Sequence, residues 1–303
     1  KHVMKKPVVF ILIAICMVFA GCSGQLSDGR LKVCVTVYPL YDFAKKIGGD
    51  KVNIIDLSPS GDIHDFEPSN YDVAQIVTGD MFLYNGAGLE HWVESVIQMI
   101  DGAKTDIAEA SQGIELFELD GHGGEEHSHA YDPHIWLNPL NAKIIACNIK
   151  EALCQADSEN SAYYRENYRQ LEAEFDNLDG EYISGLQNLA LDTIAVTHNA
   201  FGYLCKAYNL GQIALSNTEG DHGYSGADLN ELKTQISQKN IKVIFYNQAD
   251  GTAYAQSLVE LTDATEIKML STLSSLTQRQ KNSGGDYFSV MRENLAALIY
   301  ALT

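Results

Sequence analysis

NSAYYRENYRQLEAEFDNLDGEYISGLQNL, residues 160–189, is the stretch on which the fold turns. Tyr164, Tyr168, Leu171, Phe175, Leu178, Tyr182 and Leu186 recur every three or four residues with no proline among them. That spacing predicts one helix of about eight turns with a continuous apolar stripe. No heptad pattern of charges accompanies the stripe, so the helix is expected to pack on its own lobes rather than on a coiled-coil partner. Gly180 and Gly185 each weaken it by about 1 kcal/mol relative to alanine.

On either side of this helix the chain repeats one grammar. Before it, strand-like runs at Lys32–Tyr38, Val52–Leu57, Met81–Tyr84 and Thr105–Glu109 alternate with helix-like stretches at Tyr41–Ile47, Asn70–Thr78 and Leu89–Ile100. After it, strands at Asp192–Thr197, Gln212–Leu215, Lys242–Tyr246 and Glu266–Leu270 alternate with helices at Ala200–Tyr208, Gly226–Gln238 and Ala253–Leu261, and Asp286–Leu302 closes the chain. Repeated βα units give parallel sheets covered by helices. The predicted fold is α/β: two lobes, residues 31–159 and 190–303, each a mainly parallel sheet flanked by helices, joined by one long rigid helix over 160–189. Such a connector permits little relative movement of the lobes.

Upstream, Lys5 and Lys6 precede an apolar run from Val8 to Ala20, too short to span a bilayer as a mature helix, and residues 1–21 read as a signal peptide. VFAGC, ending at Cys22, has the small residues and the cysteine of a lipoprotein processing site, although Phe19 stands where leucine is usual. Residues 22–30 then form a flexible tether. The chain carries 40 acidic and 21 basic residues, a formal charge of −19, and loss of Lys1, Lys5 and Lys6 with the leader takes it to −22. Such a balance disfavours nucleic acid and anionic membrane surfaces and favours small cations, although it also serves solubility. Cys34, Cys147, Cys154 and Cys205 show no disulfide framework and are expected as buried thiols, Cys147 and Cys154 lying too far apart on one helix to bridge, although an exported location would permit one pair such as Cys34 with a helical partner.

Three histidines stand out because they fall at or beside predicted strand ends, where open α/β sheets bind ligands. His64 follows the strand ending at Leu57, His198 follows Thr197, and His134 occupies a proline-braced loop. Neutral imidazoles suit zinc, and three of them define a tetrahedron with one open corner. Asp65, Glu67 and Asp132 can orient the rings by accepting the remaining N–H, or can serve as caps and turn formers. No Walker A, GxSxG or paired CxxC motif is present.

The strings GDIHDFEPS (61–69), DPHIWLNP (132–139), VTHNAFGYL (196–204) and GGDYFSVMRENLAAL (284–298) resemble the signature segments of the zinc/manganese solute-binding lipoproteins of bacterial ABC importers. The resemblance runs from Val33 to near the C-terminus. It implies two α/β lobes joined by a long helix, with one metal ion in the cleft bound by His64, His134 and His198. It further implies a monomeric receptor, lipid-anchored through Cys22 to the outer face of the cell membrane. Zn(II) would be its transported ligand, and an ABC permease with its ATPase its partner. It implies no enzymatic activity, and it leaves room for an adhesive role at the cell surface.

Within that resemblance, manganese-type members carry glutamate where His198 stands, so imidazole there points to zinc over Mn(II) or Fe(II). A His-rich loop over residues 121–129, with His122, His127 and His129, is a second zinc-type sign. The family commonly supplies an aspartate as fourth ligand where this chain has Ser271, which leaves water, the His-rich loop, Glu219, Asp221 or His222 to complete the site. Tyr246 likewise stands where glutamate is common. His91 is expected at the surface, and Tyr38 and Pro39 are expected to line the cleft. A zinc hydrolase, which also uses three histidines and an open corner, is the rival of another class.

Overall fold

Both halves of the chain build the same sheet. The computed structural model describes residues 29–59, 61, 63–102, 104–118, 131–215 and 226–303. In the first lobe β1 (Leu31–Val35), β2 (Val52–Asp56), β3 (Met81–Tyr84) and β4 (Asp106–Glu109) pair in the order β2-β1-β3-β4. In the second, β5 (Thr193–Val196), β6 (Gly211–Ala214), β7 (Val243–Tyr246) and β8 (Glu266–Met269) pair in the order β6-β5-β7-β8. Every pairing is parallel.

Strand side chains alternate between two faces, and each face has its own core. Val33, Val35, Met81, Leu83, Ile194, Val196, Val243 and Phe245 all join one central cluster that runs through both lobes. The intervening Cys34 and Phe82 pack outward in the first lobe with Trp92, whereas Ala195 and Ile244 pack outward in the second with Ile236 and Leu258. A sheet buried on both faces reads as a continuous apolar run, which is why these strands carry little polar alternation.

The helices are α1 (Tyr38–Gly48), α2 (Asn70–Val77), α3 (Val93–Ile97), α4 (Pro139–Ala156), α5 (Ser161–Gly185), α6 (Gly202–Ala207), α7 (Gly226–Gln238), α8 (Ala253–Leu261), α9 (Gln278–Asn282) and α10 (Tyr287–Leu302). Departures of more than two residues from the predicted boundaries occur at three places. The first strand stops at Val35 and α1 starts at Tyr38, because Pro39 fits the first helical turn and cannot serve a sheet interior. The helix expected over Leu89–Ile100 is cut to α3 at its start, since Glu90 folds its carboxylate back onto Asn85 and Gly86 N–H. The long helix ends at Gly185 rather than Leu189; Leu186 N–H still bonds Tyr182 O, but Asn188 turns left-handed at φ 58°.

The connector α5 is fastened to both lobes. Phe175 meets Phe43 of α1 at 5.2 Å and Phe288 of α10 at 4.9 Å between ring centroids. Tyr182 Oη donates to Met291 O at 2.7 Å, and Asn167 Nδ2 donates to Ile47 O at 2.8 Å. Gly185 has a packing reason: a Cβ there would lie 3.0 Å from Ile299 Cδ1, so its absence lets α10 close on α5. The helices α1 and α10 are also tied directly. Lys46 Nζ lies 2.6 Å from Asp42 and 3.0 Å from Asp286, and Tyr287 N–H donates to Asp42 at 3.3 Å. Burial pushes the Asp42 carboxyl up, with Lys46 opposing it.

Cys34, Cys154 and Cys205 are buried free thiols, and Cys147, also free, is half-buried on α4. No described helix is long and apolar enough to cross a membrane. The expected leader, Cys22 and the expected tether as far as residue 28 lie outside the described residues.

Candidate metal centre

His64 sits in the segment after β2, and His198 two residues beyond β5. His134 is not at a strand end, contrary to the sequence reading: it lies in the segment that enters α4, immediately before the short turn Ile135–Leu137. Asn138 caps α4 by accepting Leu140 N–H at 2.9 Å, and Pro139 supplies the first-turn geometry. What brings His134 to the other two is long-range bonding of residues 132–136. Asn85 Nδ2, from the loop after β3, donates to Pro133 O at 3.1 Å. Tyr203 Oη donates to Asp132 O at 2.9 Å, Trp136 Nε1 donates to Thr272 O at 2.7 Å, and Tyr287 Oη donates to Trp136 O at 2.7 Å. The segment is therefore gripped by both lobes.

The three Nε2 atoms converge. His64 Nε2 lies 3.3 Å and His198 Nε2 lies 3.2 Å from His134 Nε2. A zinc ion bound at about 2.0–2.1 Å from each nitrogen requires tetrahedral N···N edges of about 3.3–3.4 Å. Both edges that meet at His134 thus match those of a zinc tetrahedron. Among the described residues these histidines are the one group of ligating side chains whose donor atoms lie together, all within 4.8 Å.

Asp132 sets the chemistry of the middle ring. Its Oδ1 is 2.8 Å from His134 Nδ1 and also accepts His134 N–H at 3.0 Å. With Nδ1 carrying the proton toward a carboxylate, the Nε2 lone pair points at the shared space, which is the tautomer a cation needs. Burial pushes the Asp132 carboxyl up to about 7, opposed by the His134 backbone N–H and by His198. His134 and His198 are 2% and 6% exposed, whereas His64 is only half-buried, so the site is approached from the His64 side.

Other expected residues fall elsewhere. Glu67 pairs with His91 at 2.7 Å on the surface instead of orienting a site histidine, which confirms the exposed position of His91. Asp65 is exposed. Ser271 is buried in the turn after β8: its Oγ accepts Leu273 N–H at 3.1 Å, and its backbone pairs twice with the Asn294 amide at 2.8 Å. Tyr38 lines a cavity of about 930 Å³ between the lobes, together with Asp42, Lys46 and Asp286; none of the three histidines lines it, and Pro39 is buried in α1. Glu219, Asp221, His222 and the loop histidines His122, His127 and His129 lie outside the described residues. Sequence reading missed Asn85, Glu90 and Asp250. A signal for them existed in the near-repeat FLYN (82–85) and IFYN (244–247), which marks equivalent strand ends in the two lobes.

Two parallel-sheet lobes on a helical connector, with three imidazoles converging in a sheltered site, define a metal-binding solute receptor. The comparisons agree. Residues 33–301 match the family described as ZnuA, zinc-uptake complex component A, periplasmic, and the chain belongs to that family. It is 33% identical to the high-affinity zinc uptake system protein ZnuA of Bacillus subtilis, over 96% of this chain and 95% of that protein. It is 31% identical to the zinc-binding lipoprotein AdcA of Streptococcus pneumoniae, over 97% of this chain but only 60% of AdcA. Among solved structures, the Zn(II)-bound ZnuA-like domain of Streptococcus pneumoniae AdcA aligns with a TM-score of 0.78 at 30% identity, covering 90% of this chain and 99% of that one. The laminin-binding protein Lmb of Streptococcus agalactiae, described as bifunctional with adhesin and metal-transporting activity, aligns with a TM-score of 0.79 at 28% identity, covering 90% and 100%.

Proposed function

We propose that this protein is the extracytoplasmic receptor of a zinc importer: His64, His134 and His198 capture Zn(II) between the lobes and deliver it to an ABC permease driven by its ATPase. The observation that carries this reading is the convergence of three imidazoles, with the Nε2 atoms of His64 and His198 at 3.3 and 3.2 Å from that of His134. Zinc needs no chemical change here, so the protein acts as a carrier and not as a catalyst. Asp132 is committed to His134 and is too buried to activate a water, which weighs against a hydrolase. The fourth corner falls to a solvent molecule, to a residue of the His-rich loop 121–129, or to Glu219, Asp221 or His222, Ser271 being engaged in its own turn. Residues 1–21 act as the leader, residues 22–30 as the tether, and Cys22 as the lipid anchor of a monomeric receptor at the membrane surface.

The test is equilibrium competition between Zn(II) and Mn(II) on the wild-type protein and on His64→Ala, His134→Ala and His198→Ala. Zinc binds tighter than manganese and each alanine removes most of the affinity. Since zinc outranks manganese at nearly any nitrogen site, preferential Mn(II) binding is the outcome that overturns the metal assignment.

A further inference from the structure

The two lobes carry one device at equivalent places. In the first lobe the strand β1 is followed by Thr36, whose Oγ1 donates to Glu90 Oε1 at 2.6 Å. The same carboxylate accepts Asn85 N–H at 2.8 Å and Gly86 N–H at 3.1 Å, closing the loop that leaves β3. In the second lobe β5 is followed by Thr197, whose Oγ1 donates to Asp250 Oδ2 at 2.7 Å. Asp250 lies in the loop that leaves β7, and its N–H donates to Asn247 Oδ1 at 2.8 Å. The strands β1 and β5 hold the same place in the two sheet orders, as do β3 and β7. In both lobes, then, a threonine hydroxyl at the end of an inner strand is held by an acid from the loop of the neighbouring strand.

Each pair connects to one of the imidazoles, directly along the chain in the second lobe and through Asn85 and Pro133 in the first. Thr197 immediately precedes His198, and its N–H is fixed to Phe245 O at 2.8 Å. Its backbone and hydroxyl are thereby both anchored to the segment running from β7, which sets where the next residue leaves the sheet. On the other side, Asn85, whose N–H is bound by Glu90, places its own amide on Pro133 O, immediately before His134. Glu90 is 6% exposed, and a carboxylate in such a place is retained only when its hydrogen bonds are satisfied, as here by three donors.

We propose that Asp250 and Glu90 are matched positioning residues for zinc capture, one in each lobe: Asp250 sets His198 through the Thr197 hydroxyl, and Glu90 sets His134 through Asn85 and Pro133. Neither touches the ion. The inference rests on the three-histidine reading, because positioning has meaning only if those rings hold the metal. Each acid keeps its imidazole at tetrahedral spacing before zinc arrives, so that binding costs little reorganisation.

The test compares Thr197→Val, Asp250→Ala, Asp250→Asn and Thr36→Val in the whole protein. Zinc affinity is measured by chelator competition, the absorption bands of bound Co(II) report ligand geometry, and metal-free thermal midpoints report folding. Thr197→Val and Asp250→Ala are expected to weaken zinc about 10- to 100-fold, the range seen when an outer partner of a ligating histidine is lost, and to shift the cobalt bands. Asp250→Asn keeps an oxygen for the Thr197 hydroxyl and restores affinity to within about 3-fold of wild type, while Thr36→Val weakens zinc through the His134 side. Wild-type affinity and cobalt bands in Thr197→Val, with only a lowered melting temperature, overturn the proposal. So does loss of folding in both Thr197→Val and Asp250→Ala, since the pair would then serve stability alone. A wild-type protein that binds no zinc refutes the three-histidine reading itself, a separate outcome from either.

Discussion

In the first lobe the loop after β3 reaches across to the His134 segment, with Asn85 Nδ2 on Pro133 O. In the second lobe the matching Asn247 turns inward: its Oδ1 holds Asp250 N–H, and its Nδ2 finds no hydrogen-bond partner among the described residues although the side chain is buried. The sheets are the same, the strand-end asparagines are the same, and the threonine–acid pairs are the same. Only in the first lobe does the strand-end asparagine reach a second segment. A repeated architecture is therefore used asymmetrically: the first lobe supplies His64 and helps brace the deeply buried His134, while the second brings His198 to them on a shorter set of bonds.

Loss of the bridging ring strikes hardest at this asymmetry. His134→Ala removes the nitrogen that lies within 3.3 Å of both others, and zinc affinity is expected to fall by at least about 1,000-fold in a chelator-competition assay, more than for His64→Ala at the exposed side. Equal, small losses for both would mean that the rings do not share one ion. Next comes the core common to the lobes. Phe175→Ala leaves a void among Phe43, Tyr287 and Phe288 and is expected to cost about 3–5 kcal/mol by urea denaturation, in a single transition. Two separate transitions in the wild type would show lobes that fold independently.

Acidity sharpens the contrast further. Neutral imidazoles bind zinc, so affinity is expected to decline as pH falls below about 6.5, the ordinary imidazole range. The metal-free protein has an opposite contribution from Asp132. Because burial raises this carboxyl to about 7, the folded state retains a proton that the unfolded chain releases near pH 4. From this group, stability is highest below pH 4 and declines as pH rises toward 7. Urea midpoints at pH 5 and 7.5 should therefore converge less in the wild type than in Asp132→Asn, which has no such proton to lose. The smallest effect is expected at Arg292, which joins α10 to Glu181 of α5 at 2.8 Å in a largely solvated pair. Arg292→Ala should cost no more than about 1 kcal/mol, and a larger loss would make the connector's charges as important as its apolar stripe.

The connector was legible because its signal is local: five of its seven stripe residues, Tyr164, Leu171, Phe175, Leu178 and Tyr182, are buried, and Tyr168 and Leu186 at the margins are partly so. His64 and His198 were legible for a similar reason, as they follow apolar strands whose ends face the ligand in any open parallel sheet. The position of His134 was not, because it depends on bonds between residues 48 and 136 apart in the chain, Asn85 to Pro133 and Trp136 to Thr272. The shortening of α3 was not legible either, because it depends on the Glu90 carboxylate turning back to Asn85 and Gly86 N–H. Glu90 read as one more helical acid, since nothing local announces that its carboxylate closes a loop.

The thiols, finally, bear on selectivity. Thiolate is a strong zinc ligand, and a protein that gathers this metal with four free cysteines in its described body risks holding it in the wrong place. Burial raises Cys34 to about 11 and Cys205 to about 12, so near neutral pH both remain protonated and shut away from the ion. The hydrophobic packing that stabilises the sheet and α6 thereby also silences two competing sites, and it spares the same sulfurs from oxidation outside the cytoplasm, where the proposed receptor would work.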